Sequence, residues 1–140
     1  MKQKLSHKAS CMVNNSGSTP LHIAAAHSGV AKCVSNVIAL GTRDAAAVED
    51  PIKGTPLHVA CQNTHATGLL IDALVTLNPS ATLTGTQRGH LPLHIAAQSS
   101  CACSLSVVKA LVSHAPNAAH VCNKSGNTPL HDAAKYRSSI

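Results

Sequence analysis

Thr19-Pro-Leu-His-Ile-Ala-Ala25 is the stretch that decides the fold, because the chain contains three further copies of it. The further copies read Thr55-Pro-Leu-His-Val-Ala-Cys61, Leu91-Pro-Leu-His-Ile-Ala-Ala97 and Thr128-Pro-Leu-His-Asp-Ala-Ala134. Successive copies start 36, 36 and 37 residues apart. A period of this size is typical of stacked supersecondary units that each contact only their neighbours. The sequence therefore predicts a repeat architecture.

Each copy has the composition of a helix N-terminus. A Thr at the first position can cap the helix, because its hydroxyl oxygen accepts a hydrogen bond from a free backbone N–H of the first turn. The proline that follows suits the first helical position, where the missing N–H costs nothing. The third copy begins with Leu91, so we expect its helix to lose a cap worth about 1 kcal/mol. The positions to which we assign this structural role are Thr19, Pro20, Leu21, His22, Thr55, Pro56, Leu57, His58, Pro92, Leu93, His94, Thr128, Pro129, Leu130 and His131.

The motif Thr-Pro-Leu-His-x-Ala resembles the ankyrin repeat, whose usual period is about 33 residues. The resemblance covers nearly the whole chain. It implies an all-α, ankyrin-type helix–turn–helix solenoid of about three full repeats, with partial units at both ends. The segment 1–14 is then either the remnant of a preceding repeat or a basic N-terminal segment. The repeat domain is expected at 15–140, with repeats at about 15–52, 53–87 and 88–124 and a partial unit at 125–140.

Apolar residues at helical spacing between the motif copies predict the second helix of each unit. These helices are expected at about 30–40, at about 67–77 and in a segment that ends before Pro116. Residues 42–53 are expected to form a loop. The residues that lengthen the period are also expected in loops, which accept insertions at little thermodynamic cost.

Composition and charge limit the function classes. Hydrophobic residues make up 44% of the chain but aromatic residues only 1%, which suits thin helical layers and disfavours a pocket lined by rings. The formal net charge is +6, and Lys2, Lys4 and Lys8 carry three of the basic groups. We interpret this segment as a solvated terminus, so neither nucleic acid nor membrane is expected as a partner. A nucleic-acid or anionic-lipid binder would rest on charge alone.

Catalytic and metal sites have little support in the sequence. The five acidic residues form no spaced pair with a base, and no nucleophile or phosphate-binding motif occurs. Asp132 is expected to face solvent at an open end or to meet a partner. The six cysteines include no Cys-x-x-Cys pair, which indicates free thiols in a reducing compartment, cytoplasmic or nuclear. Cys101-Ala-Cys103 lacks the second ligand pair of a zinc site, so we expect no catalytic, cofactor or metal residue.

The resemblance implies binding of another protein through finger turns and the surface of the first helices. It also implies that the motif histidines hydrogen-bond the neighbouring turn. The expected partner-binding residues are Ser18, His27, Lys53, Gln62, Asn63, Gln87, Arg88, Gln98, Lys124, Asn127 and Lys135. This group is polar and mildly basic, which favours an acidic segment as the partner. The alternative is a fragment of a larger ankyrin-containing enzyme, channel or signalling protein whose activity lies outside these residues.

Overall fold

The computed structural model describes residues 11–27, 39, 42–99 and 104–137, and in this part the regular structure is helical, apart from one isolated bridge. The α-helices are α1 Pro20–Ala26, α2 Arg43–Ala47, α3 Pro56–Gln62, α4 Gly68–Leu77, α5 Pro92–Gln98, α6 Ser104–His114 and α7 Pro129–Arg137. Two 3₁₀ helices are η1 Pro79–Leu83 and η2 Pro116–His120. The helix predicted at about 30–40, apart from residue 39, lies outside the described residues, as do Lys2, Lys4, Lys8 and the Cys101–Cys103 pair.

The four motif copies begin α1, α3, α5 and α7, each at its proline, which confirms the predicted helix starts. At the first of them, Thr19 has an extended backbone and its hydroxyl oxygen accepts from the N–H of His22 at 3.4 Å. The leucine that follows each of the first three prolines is buried in the core. The short motif therefore both starts a helix and anchors that helix to the rest of the fold.

The helices form two layers. The motif helices α1, α3, α5 and α7 lie side by side in one layer, and α4 packs on α6 in the other. Small side chains at Ala25, Ala60 and Ala96 are buried and allow neighbouring helices to approach closely. Ile71 of α4 and Leu111 of α6 are buried in the same hydrophobic core. The fold is therefore an all-α stack, as the repeat pattern predicted.

The loop predicted at 42–53 is wrong in its first half, where the chain forms α2. The hydroxyl of Thr42 accepts from the N–H of Ala45 at 3.1 Å and caps this short helix. The helices η1 and η2 follow at the equivalent places, 36 and 37 residues apart, and the side-chain amide of Asn78 donates to the Ala46 carbonyl at 3.3 Å. Part of the long period is therefore a third, packed helical segment and not a loop.

The burial of Leu91 offsets the cost that was expected from the missing cap. Its side chain is only 3% exposed, and its N–H still donates to Nδ1 of His94 at 3.1 Å. Burial of a leucine side chain contributes about 2 kcal/mol, whereas the lost hydroxyl cap costs about 1 kcal/mol. The burial of Leu91 therefore stabilises the fold by more than the missing hydroxyl cap costs.

Candidate functional site

Four turns, here called fingers 1 to 4, precede the motif helices at residues 14–18, 50–54, 86–90 and 123–127. Each motif histidine of the first three units reaches the finger of the next unit through its Nε2 atom. The Nε2-to-carbonyl distances are 3.0 Å for His22 to Gly54, 3.1 Å for His58 to His90 and 2.9 Å for His94 to Asn127. These bonds form a ladder that fixes the position of each finger relative to the helix before it.

The hydrogen bonds also assign the proton on the ring. Nδ1 of His58 accepts from the N–H of Thr55 at 3.1 Å and lies 2.8 Å from the Thr55 hydroxyl. Since Nδ1 accepts, the ring proton is on Nε2 and is donated to the His90 carbonyl. Burial lowers the pKa of His58 from its ordinary value of 6.5 to about 4. Burial also lowers the pKa of His22. These two rings are therefore neutral at pH 7 and fully engaged, with no atom left for acid–base chemistry.

Three of the fingers depend on an Asn or Asp side chain that the sequence analysis did not identify. Asn14, Asp50 and Asn123 begin fingers 1, 2 and 4, and each lies five residues before the first motif residue. Their side-chain oxygens accept from finger N–H groups: Asn14 from Ser16 and Ser18, Asp50 from Ile52 and Lys53, and Asn123 from Ser125 and Asn127. Such Asx turns stabilise tight turns, and the shared register with the motif was the signal that could have revealed them.

A groove of about 610 Å³ opens between fingers 2 and 3 and the helices α3 and α5. The residues of the expected binding set that line it are Lys53, Gln62, Gln87, Arg88 and Gln98. Ile52 and Ile95 add apolar surface, and His90 at the end of finger 3, which the sequence analysis missed, also lines the groove. The groove therefore combines long polar side chains with the apolar surface of the two isoleucines.

A second groove of about 340 Å³ continues from the first towards finger 4 and α7. It shares Gln87, Arg88, His90 and Gln98 with the first groove and adds Lys124, Asn127 and Lys135 of the expected set. We call the combined surface the finger groove. Its lining has four permanent cations, Lys53, Arg88, Lys124 and Lys135, and one carboxylate, Asp132.

Three residues of the expected set lie elsewhere. Ser18 is buried, and its hydroxyl donates to Oδ2 of Asp50 at 2.5 Å, so its side chain belongs to the contact between fingers and is not available to a partner. Asn63 is half-buried and donates to the Ala25 carbonyl at 3.0 Å, which joins α1 to the end of α3. His27 is exposed after α1 and lines neither groove.

Asp132 was expected to face solvent at an open end or to meet a partner, and the expectation of solvent exposure was wrong. It is 3% exposed and accepts from Nε2 of Gln98 at 3.0 Å. Its place in the motif is that of Val59 and Ile95, which are 5% and 9% exposed. The repeat register, and not the charge of the side chain, therefore decided where it lies. Burial lowers the pKa of the nearby His90, while the charge of Asp132 opposes that shift.

Within the described ranges, no three His, Cys, Asp or Glu side chains are close enough together to hold a metal ion. The cysteines described there, Cys11, Cys61 and Cys122, are free. Burial raises the pKa of the Cys61 thiol well above its usual range, which makes it unreactive. None of the helices in this part of the chain has the length and apolar character that crossing a bilayer requires.

Two family models match the chain. The model described as Ankyrin repeats (3 copies) matches residues 68–140, which is more than half of the chain, and the model described as Ankyrin repeat matches residues 16–43. No curated protein matches it. The helix pairs, the fingers and the histidine ladder agree with these matches, and the chain therefore belongs to the ankyrin repeat family.

Proposed function

We propose that this chain is a non-catalytic interaction module that binds an acidic segment of another protein in the finger groove. Ankyrin repeats are generally protein–protein interaction modules, typically non-enzymatic scaffolds. The observation that carries the proposal is the continuity of the finger groove, in which four cations face one carboxylate that is already hydrogen-bonded. A partner with regularly placed Asp or Glu side chains complements this surface.

The lining of the groove suits an extended segment. Lys53, Arg88 and Lys124 come from three successive fingers, so a chain laid along the groove meets a cation at each unit. The amides of Gln62 and Gln87 are exposed and can bond to the backbone of such a segment. Each exposed ion pair contributes only about 0.2–1 kcal/mol, so affinity depends on several contacts along the groove.

The same geometry supports the non-catalytic part of the proposal. His58 and the other two inner histidines of the ladder are bonded at both ring nitrogens. A general base needs a lone pair within reach of substrate, and these rings have none to offer. The groove is therefore suited to recognition.

We also propose a reducing compartment, the cytosol or the nucleus. Cys122 is exposed and free, and Cys61 is buried and free. Unpaired exposed thiols are typical of compartments where glutathione and thioredoxin keep cysteine reduced.

The test uses the whole chain as bait with two variants of equal charge change. Arg88→Glu combined with Lys124→Glu alters the finger groove, and Arg43→Glu combined with Lys109→Glu alters exposed cations outside it. We expect wild type and the second pair to capture the same protein, and the groove pair to lose at least about tenfold in affinity. Raising the salt concentration should weaken the wild-type complex. Equal capture by both pairs would reject the groove as the site.

A further inference from the structure

Finger 2 presents an apolar side chain to solvent. Ile52 is 87% exposed, more than any other large hydrophobic residue in the part of the chain that the structure describes. The residues at the same distance before the other motif copies are Ser16, Arg88 and Ser125, all of them polar. Because single exposed apolar residues are ordinary on protein surfaces, the surroundings of Ile52 decide what its exposure means.

The shape of finger 2 accounts for the exposure of Ile52. Two backbone hydrogen bonds of 2.8 and 2.9 Å join Asp50 to Gly54 and leave three residues at the tip. In fingers 1, 3 and 4 the glycine comes one position earlier, and its N–H bonds back to the first residue of the finger. Gly54 has a φ of 82°, which glycine adopts without strain. Ile52 is therefore the middle residue of a tip that is one residue longer than the others.

Finger 2 is held in place by its own first residue and by the unit before it. Oδ1 of Asp50 accepts from the N–H groups of Ile52 and Lys53 at 2.9 and 3.0 Å. Oδ2 of Asp50 accepts from the Ser18 hydroxyl at 2.5 Å, and the carbonyl that closes the finger accepts from His22. A partner that packs on Ile52 therefore contacts a turn that is already ordered, which lowers the entropic cost of binding.

The side of finger 2 that faces finger 3 is open. Fingers 1 and 2 are joined by the bond from Ser18 to Asp50. Fingers 3 and 4 are joined by a backbone hydrogen bond from the N–H of Lys124 to the carbonyl of Arg88 at 3.1 Å. In the described part of the chain no hydrogen bond joins finger 2 to finger 3. The larger groove, of about 610 Å³, opens there, and Ile52 lines it.

The lining of this groove combines apolar carbon with positive charge. Ile52 contributes from the finger and Ile95, which is 9% exposed, contributes from α5. Lys53 follows Ile52 in finger 2, and Arg88 lies in finger 3. Among the described residues that line this groove there is no carboxylate. A partner that is only acidic would leave Ile52 in water, whereas an apolar partner side chain would remove it from water, which is worth about tenfold in affinity.

We propose that the partner's acidic segment also carries an apolar side chain, which packs between Ile52 and Ile95 while neighbouring Asp or Glu residues pair with Lys53 and Arg88. The inference rests on the proposed function, which supplies the acidic part of the segment. The apolar side chain removes Ile52 from water, and its acidic neighbours neutralise the cations of the two fingers. Because each exposed ion pair alone contributes little, the contact with Ile52 distinguishes this partner from other acidic segments.

The first experiment is a selection of random peptides displayed on phage, with the whole chain as the immobilised target. We expect the enriched sequences to share an apolar residue beside Asp or Glu. A peptide from this selection is then the probe for affinity measurements by isothermal titration calorimetry. A second peptide, in which Ala replaces the apolar residue, has the same charge and differs only in its apolar contact.

The matched variants are Ile52→Ser and Leu69→Ser. Serine stands at the place of Ile52 in fingers 1 and 4, so a finger tolerates it. Leu69 is 68% exposed on α4 and lines neither groove. We expect Ile52→Ser to bind the selected peptide about tenfold more weakly, and Leu69→Ser to bind it as wild type does. The Ala peptide should bind wild type and Ile52→Ser equally, because both changes remove the same contact.

Arg88→Glu combined with Lys124→Glu separates this inference from the proposed function. If this pair loses the selected peptide and Ile52→Ser binds it as wild type does, the contact with Ile52 is overturned and the acidic function stands. A selected peptide that binds the charge pair as tightly as wild type would reject the proposed function, and the inference with it. A selection that enriches no sequence with an apolar residue beside an acidic one would also overturn the inference.

Discussion

The Nε2 atom of His58 lies 3.1 Å from the carbonyl oxygen of His90, although the two residues stand 32 positions apart in the chain. The other ring nitrogen of His58 accepts from Thr55 in the first turn of its own helix. One side chain therefore holds both the start of α3 and the finger of the next unit. Because the fingers line the groove, its shape depends on rings that are themselves buried.

Replacing His58 with Ala should lower the free energy of unfolding by about 2–4 kcal/mol, since it leaves buried backbone groups without a partner and opens a cavity. The measurement is urea denaturation. His131→Ala is the matched control: that ring has the same Thr neighbour at 2.7 Å but is exposed, so its loss should cost less than about 1 kcal/mol. Equal costs for the two variants would contradict the ladder.

Lowering the pH should destabilise the fold because it protonates the buried rings of His58 and His22. The pKa of His58 is about 4 in the folded chain against an ordinary value of 6.5, so the unfolded chain binds this proton first as the pH falls. The contribution of His58 to stability is complete above pH 6.5 and is lost towards pH 4, which amounts to roughly 3 kcal/mol. His22 acts in the same direction.

The measurement for this prediction is the free energy of unfolding at a series of pH values from 7 to 4. His58→Gln removes the titrating group while it keeps a neutral polar side chain, so its stability should fall less steeply over this range. A wild-type curve that is flat or rises as the pH falls would contradict the burial of these rings as neutral groups.

Leu91→Thr should lower the melting temperature by about 3 °C, which corresponds to a net loss of about 1 kcal/mol. The new hydroxyl restores a cap beside His94, but the lost burial at a position only 3% exposed outweighs it. Leu83→Thr, at a leucine that is 53% exposed in η1, serves as the control and should change the melting temperature little. A rise for Leu91→Thr would show that the cap dominates.

Leu111→Asp should unfold the stack, because it places a carboxylate at a core position that is only 2% exposed. An unpaired buried charge typically costs more than about 4 kcal/mol, a large part of the stability of a domain this size. Far-ultraviolet circular dichroism and thermal melting measure the outcome, with the exposed Leu69→Asp as the control. Native helicity and an unchanged melting temperature in Leu111→Asp would show that Leu111 is not in the core.

The sequence predicted the structural features that recur with each copy of the motif. Each Thr-Pro-Leu-His or Leu-Pro-Leu-His copy starts a helix at its proline because capping and proline geometry act locally, within one turn. The helix predicted at about 67–77 is α4, and the segment ending before Pro116 contains α6. Eight of the eleven expected binding residues line the finger groove, since their places in the repeat determine which way they face.

The sequence did not predict features that depend on a neighbouring unit. Ser18 is buried where its hydroxyl donates a hydrogen bond to Asp50 of the next finger. Asp132 is buried where the side-chain amide of Gln98, in the previous motif helix, donates to it. Both partners stand more than thirty residues away, so local polarity indicated exposure. The helix α2 was missed because its alanines stabilise it by packing, and its sequence has no helical apolar stripe.

The proton position on the inner histidines tests the central claim most directly, because it depends on neighbouring units being stacked in this register. Nitrogen-15 nuclear magnetic resonance of the imidazole groups at pH 7 reports it. We predict that His22, His58 and His94 hold their ring proton on Nε2 and exchange it slowly with water, whereas His131 exchanges quickly. Protons on Nδ1, or equally fast exchange in all four rings, would contradict the account.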